Sequence, residues 1–250
     1  MSTKETAMTN TAAWDRIADT WAAHRGVATD TISYGRDLPT DRELRLVSNL
    51  SAKRVLDLGC GHGINAIAMA KSGAKVIAID ASAAMLDHAE RQAIASKTKV
   101  ELRNGDLSEL AWLRAESIDF ALSVGALSEV EDLDRALRQV HRVLKPGSNF
   151  VFSHAHPFGM CCHRDYDEPG ALALGALEVR HSYFDESPIT VHEFGEAFNV
   201  FPRSFSMLFG ALGRAGFGVD ALIEPEPVAQ SFTGPAVPTT LIVKARKLGN

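Results

Sequence analysis

Three acidic residues and a run of glycines carry the strongest chemical signal in this chain. Val55-Leu56-Asp57-Leu58-Gly59-Cys60-Gly61-His62-Gly63 joins a short apolar run to a helix-like segment. Alternating glycines let a backbone turn tightly and come close to a ligand without Cβ clashes. Such a loop opens onto a helix N-terminus, where N–H groups favour an anion or a carboxylate. Asp80 closes the next apolar run, about 20 residues on, where an acid binds ribose hydroxyls in nucleotide sites. Asn104-Gly105-Asp106-Leu107 follows the third run. An ionised carboxylate only accepts hydrogen bonds, so Asp106 suits the exocyclic amine of an adenine. Taken singly, Asp57 reads as a cap on the turn and Asp80 as an ordinary strand-end acid. At the ends of three successive strands they read as one site, because open parallel sheets bind ligands at that edge.

A second set of residues could move protons. Glu129 follows Gly125-Ala126-Leu127-Ser128, and His154 and His156 follow a later apolar run. His163, His181, His192 and Glu193 lie further on. Histidine titrates near neutrality, which suits proton transfer. Two histidines bonded to loop backbone are the structural alternative. His154 is the preferred base, because a strand end at this edge faces the ligand. His154-x-His156 and Cys161-Cys162-His163 do not match zinc spacing, so no metal is expected.

The elements that must carry these residues alternate. The pattern predicts strands at 54–58, 75–79, 99–103, 118–124, 149–153, 218–223 and 239–245. Helices are predicted at 65–72, 83–95, 133–144 and 204–215, with 145–147 as a turn. Such alternation means right-handed βαβ units and a parallel sheet. Residues 1–12 read as a disordered tail and 13–50 as a helical cap. In the cap, Trp14, Ile17, Ala18 and Trp21 form one apolar stripe, and Thr40 caps a second helix with Glu43 as its partner. Residues 155–203, with an apolar patch at 171–177, break the alternation and read as an acceptor-side insertion or lid. The cap helix is expected over the ligand, with the insertion as the opposite wall. The aromatic residues Trp14, Trp21, Tyr34, Tyr183, Phe184, Phe198, Phe201 and Phe205 could line an apolar pocket; alternatively, Trp14 and Trp21 dock the helix on the sheet. The whole of 1–250 reads as one domain.

Asp57-Leu58-Gly59-Cys60-Gly61-His62-Gly63, Asp80, Asp106 and Leu144-Lys145-Pro146-Gly147 resemble the motifs of class I S-adenosylmethionine (SAM)-dependent methyltransferases. The resemblance covers about residues 50–155. Tyr34-Gly35-Arg36-Asp37-Leu38-Pro39, His156-Pro157-Phe158 and Tyr183-Phe184-Asp185-Glu186 extend it toward small-molecule enzymes of the ubiquinone/menaquinone-biosynthesis type. It implies an α/β, Rossmann-like doubly wound sheet of seven strands, order 3-2-1-4-5-7-6, with strand 7 antiparallel. It implies SAM as cofactor and S-adenosyl-L-homocysteine as product. By that likeness Gly59, Cys60 and Gly61 approach the methionine part and Asp57 meets its amino group. Asp80 would hold the ribose, and Ala81 and Met85 would flank the adenosine. Asp106 and Leu107 would frame the adenine, Ser123 would reach the methionine moiety, and Tyr34 would join the cofactor site.

A nicotinamide-dependent dehydrogenase fits less well. After Gly59-x-Gly61 the third small residue falls at Ala66, out of step with G-x-G-x-x-G/A. The chain of 250 residues has 46% hydrophobic and 23% charged residues, a net charge of -5 and a pI near 6.0. That balance offers no electrostatic case for nucleic acid. No apolar stretch is long enough to span a membrane. Three cysteines without framework spacing fit the reducing cytoplasm. The expected partner is a small-molecule methyl acceptor, methylated at N or O, with a homodimer left open. A C-methyltransferase and a non-catalytic SAM-binding protein are the alternatives.

Overall fold

The structure is a computed structural model and describes residues 3–25, 30–35, 38–162, 178–226 and 237–249. The strands are β1 (Arg54–Leu58), β2 (Lys75–Asp80), β3 (Val100–Asn104), β4 (Ile118–Val124), β5 (Leu144–Ala155), β6 (Ile189–Glu193), β7 (Glu196–Val200), β8 (Phe217–Ile223) and β9 (Thr240–Lys247). The helices are α1 (Thr3–Arg25), α2 (Asp41–Leu44), α3 (Ile64–Lys71), α4 (Ala83–Ala95), α5 (Leu133–Val143), α6 (Pro157–Cys161) and α7 (Phe205–Arg214). Seven strands form one sheet in the order β3-β2-β1-β4-β5-β9-β8. The first five run parallel, and β9 runs antiparallel to both neighbours. This is the expected doubly wound order, with β9 and β8 as the seventh and sixth strands.

The sheet is covered on both faces, which is why its strands read as nearly continuous apolar runs. Leu56, Leu58, Phe150 and Phe152 pack with Leu137 and Val140 of α5 and Leu208 and Leu212 of α7. Val55, Val76, Phe120 and Val151 pack with Ala66 and Met69 of α3, and with Ile32, Tyr34, Leu46 and Leu50. Side chains alternate along a strand, so Asp57 shares the face of Val55. The expected turn at 145–147 is a bulge inside β5, with Gly147 at φ 76° and the β4 register shifting between Ile118 and Phe120. Pro146 has no N–H to give a ladder, so the strand departs there and rejoins at Asn149. No helix among the described residues is long and apolar enough to cross a membrane.

The cap departs from expectation in two ways. First, α1 starts at Thr3, so residues 3–12 are helical where a disordered tail was expected. Asn10 explains part of this: its side chain is buried and bonded to Asn199 and Glu129. Second, Trp14 and Trp21 do not dock on the main sheet. Trp14 packs on Phe198 at 4.6 Å and Trp21 on Phe194 at 6.2 Å between ring centroids. Both partners belong to the hairpin of β6 and β7, so cap and insertion form one joined structure rather than opposite walls.

That hairpin was missed in the sequence although its signal is present. Ile189, Val191, Phe198 and Val200 alternate around Phe194-Gly195. Those two residues have φ of 51° and 77°, the positive values a two-residue hairpin turn needs. The predicted cap at Thr40 forms, with Glu43 closing the reciprocal pair. The helix stops after one turn because Asp41 Oδ1 accepts from the N–H groups of Leu46 and Val47. The apolar patch 171–177, His163 and most of the linker before β9 lie outside the described residues.

Candidate active site

The tips of β1, β2 and β3 meet through named bonds. Gly61 N–H donates to Asp80 Oδ2 at 2.7 Å. Asn104 Nδ2 donates to the carbonyl of Ala81 at 2.8 Å, and Gly105 N–H to that of Asp80 at 3.0 Å. A Cβ at Gly59 would lie 3.7 Å from Leu107 Cδ2 and 2.2 Å from Ala126 Cβ. Gly59 also has φ 68°, where side chains are strained. At Gly61, with φ 51°, a Cβ would meet nothing within 4 Å, so this is the open side where a ligand can approach. Gly59→Ala should therefore push the turn at Ala126 away and weaken SAM binding at least about tenfold, as read by calorimetry. Unchanged affinity would show that this packing is dispensable.

The loop differs from the expected anion cradle. Gly59 and Cys60 give their N–H groups to the carbonyl of Ile79, at 2.8 and 3.1 Å, and Gly61 gives its own to Asp80. Those donors are consumed, and what faces the cleft is acid. Asp57 is buried and its Oδ2 has no hydrogen-bond partner. Burial, then Asp80, pushes its pKa up to about 7 against the help of the Ala66 N–H. Burial also raises Asp80, although Ser82 and Gly61 N–H groups bond to it. A buried carboxyl with an orphaned oxygen beside a second acid is costly until a cation arrives.

Glu129 is the third raised acid. It ends a 3-10 turn, Ala126–Glu129, that follows β4. Burial raises its pKa to about 7, with Asp80 and Glu193 adding to the rise. Trp14 Nε1 donates to Glu129 Oε2 at 2.9 Å and Asn10 Nδ2 to the same atom at 3.1 Å, and both oppose it. The turn is fixed from behind by Arg203, which the sequence reading overlooked. Its buried guanidinium donates to the carbonyls of Leu127, Val130, Glu131 and Phe201. A lone arginine beside a proline in an apolar stretch was the only available hint.

Several expected site residues sit elsewhere or face away. His154 is buried on β5, and burial and Arg203 lower its pKa to about 4. Its Nδ1 lies 2.8 Å from the Ala155 carbonyl and its Nε2 3.5 Å from Arg203 Nη1. Both ring nitrogens are engaged in a neutral, buried histidine, so neither is free to take a proton from an acceptor. His156 caps α6, its Nδ1 accepting from Phe158 and Gly159 N–H while Nε2 meets Glu224 at 2.8 Å. Ser123 is fully buried and donates to the Leu58 carbonyl at 2.9 Å, which ties β4 to β1 rather than reaching a ligand. Tyr34 lies in the core behind α3, and its hydroxyl donates to Asp41 Oδ1 at 2.7 Å. Cys60 is buried, with its thiol raised by burial, so only its backbone can face the cleft. Ala81 and Asp106 are exposed, Asp106 Oδ1 accepting from Ser108 N–H at 2.7 Å. Met85 is buried at the start of α4, and Leu107 is half-buried against the loop.

These residues fit SAM. Its α-ammonium can meet the orphaned Asp57 oxygen, and its sulfonium suits a cleft holding three raised acids. Asp80 and Asp106 would offer acceptors to the ribose and the adenine. Residues 56–152 match the family model described as "Methyltransferase domain". A ubiquinone biosynthesis O-methyltransferase of Hahella chejuensis is 39% identical over 104 residues, 42% of this chain and 44% of that protein. The match thus spans less than half of that relative's length. A solved SAM-dependent methyltransferase from Methanosarcina mazei shares the fold at 21% identity and a TM-score of 0.63, covering 84% of this chain and 98% of that one. A solved S-adenosylmethionine-dependent methyltransferase from Mesorhizobium loti is 30% identical, with a TM-score of 0.65, over 82% of this chain and 96% of that one. With its strand order, acidic cleft and near full-length kinship to that structure, the chain belongs to the S-adenosylmethionine-dependent methyltransferases.

Proposed function

We propose that this protein transfers the methyl group of SAM to a hydroxyl or amine of a small molecule, with Glu129 taking the acceptor's proton. The observation that carries this reading is Glu129 itself. It stands half-buried beside the cofactor cleft, with a pKa near neutrality and one carboxylate oxygen outside its two hydrogen bonds. The likeness to enzymes named for ubiquinone O-methylation supports a small oxygen acceptor.

Bound SAM supplies an electrophilic methyl carbon on a positively charged sulfur that leaves as a neutral thioether. The protein's residues do the rest. Asp57, Asp80 and Asp106 bind and orient the cofactor. The hairpin and α1 bring Phe198, Trp14 and Trp21 together beside Glu129, an apolar cover that excludes water from the transfer. The acceptor's lone pair forms the new bond to carbon, and its proton passes to a Glu129 oxygen. That transfer is needed only if the acceptor carries a proton it must lose.

The test is a panel of phenols, catechols and primary amines incubated with SAM, with S-adenosylhomocysteine release measured. Release dependent on a phenol or amine is expected. Tight SAM binding with no acceptor-dependent release across the panel would favour a SAM-binding protein without transferase activity.

A further inference from the structure

Helix α1 carries more polar contacts than its apolar stripe needs for docking, and two of them converge on one atom. Resting on the reading of Glu129 as base, we propose that Asn10 and Trp14 are its positioning residues. They hold Oε2 by paired donation, so that Oε1 is the oxygen presented to the acceptor.

The geometry supports this from both sides. Trp14 Nε1 reaches Oε2 at 2.9 Å and Asn10 Nδ2 at 3.1 Å, from 115 and 119 residues away in the chain. An indole N–H can only donate and an ionised carboxylate can only accept, so the direction of the Trp14 bond is unambiguous. Each donor is itself held. Asn10 Nδ2 also donates to the Asn199 carbonyl at 2.8 Å, and its Oδ1 accepts from Asn199 N–H at 2.8 Å. The side-chain amide thus mimics a neighbouring strand along β7. Trp14 is wedged between Trp21, at 5.1 Å, and Phe198, at 4.6 Å, between ring centroids. Donors on rigid supports hold a reacting group better than donors on loops.

The charges around Glu129 show why donors are needed. Asp80 faces it from the tip of β2 and Glu193 from the end of β6, both negative. Burial and these two acids favour the protonated form, which cannot act as a base. Neutral donors from α1 favour the ionised form without cancelling the negative cleft that a sulfonium requires. The same helix reaches the cofactor side. Asp15 Oδ1 accepts from Ser82 Oγ at 2.6 Å and Ala84 N–H at 3.1 Å, at the start of α4 beside Asp80. Docking one helix therefore completes both halves of the site.

The experiment uses the full chain with 13C-carboxyl glutamate and 15N-indole tryptophan. Glu129→Gln identifies the Glu129 signal. In the unaltered protein the Trp14 indole signal should follow the same titration midpoint as the Glu129 carboxyl, and it should stop moving in Glu129→Gln. Trp14→Phe keeps an aromatic ring and removes the donor. It should raise the Glu129 midpoint by about one pH unit. It should lower kcat about tenfold and leave the KM for SAM within about twofold. An indole signal indifferent to the Glu129 titration overturns the proposal without any folding question. So does a Trp14→Phe protein with an unmoved midpoint and full kcat. Failure of the base reading looks different: the indole still follows the carboxyl, but Glu129→Gln turns over at the normal rate.

Discussion

Glu129→Gln should lower kcat by roughly 10²–10⁴ with a phenol or amine acceptor, the usual contribution of a positioned base. The amide keeps the shape of the side chain and loses the ability to accept a proton. SAM affinity should fall much less than kcat, because Asp57 and Asp80 still offer negative charge to the cofactor. The pH profile gives a second reading. Without cofactor Glu129 titrates near 7, and a bound sulfonium pulls that value down. With saturating SAM the rate should rise with pH through an acid limb at or below 7, and the limb should vanish in Glu129→Gln. A variant with unchanged kcat would remove Glu129 from the chemistry. An acceptor already ionised, or one needing no deprotonation, would then be indicated by a rate flat with pH.

The second large effect concerns Asp57. Its orphaned oxygen and raised pKa mean that the free protein carries it largely protonated below about pH 7. A ligand ammonium favours the ionised form, so SAM binding must expel that proton. Affinity should therefore rise with pH from about 5.5 to 7, by up to roughly tenfold per unit. Within that window the ammonium of SAM stays charged, since α-amino groups titrate nearer 8. Asp57→Asn should reduce the slope to the share that Glu129 contributes and weaken binding by about 10–100-fold, the loss of one charge-assisted hydrogen bond. Calorimetry in buffers of different ionisation heat would count the proton directly. A pH-independent Kd in the wild type would sink this account.

The same residue makes a prediction about stability. A carboxyl whose folded pKa is raised stabilises the fold below its unfolded pKa and loses that contribution as pH rises through the folded value. For Asp57 the window runs from about 4 to about 7. At pH 8 the cofactor-free protein therefore carries an uncompensated buried charge worth roughly 2–4 kcal/mol. Asp57→Asn should raise the Tm of the free protein at pH 8 by about 5 °C while impairing SAM binding, a cost of function stored in the fold. A lower Tm in Asp57→Asn would show that the carboxylate is structurally required.

Much of the architecture was legible because it rests on local rules. The runs at 54–58 and 118–124 matched strands residue for residue, since both faces of a parallel sheet are buried and the signal is a continuous apolar run. The helix predicted at 83–95 forms over the same residues, and Ser82 caps its start. The hairpin of β6 and β7 was lost among aromatic and acidic residues, because its partner is α1, nearly the whole chain away. Residues 3–12 looked like a tail for a similar reason. Asn10 is polar, and only its pairing with Asn199 and Glu129 makes burying it favourable.

What the order of residues determined by itself is the set of strand tips and the acids placed on them. Asp57, Asp80 and Asp106 follow apolar runs that must become parallel strands, and chirality and connection rules then put their ends at one edge. Which groups can act there was decided by tertiary structure. In the chain His154 is the preferred base, Glu129 a further candidate and Ser123 an expected cofactor contact, yet burial beside Arg203 neutralises the first, a distant helix grips the second, and a backbone carbonyl occupies the third. Reactivity depends on desolvation and on hydrogen-bond partners, and both are set by residues far apart in sequence.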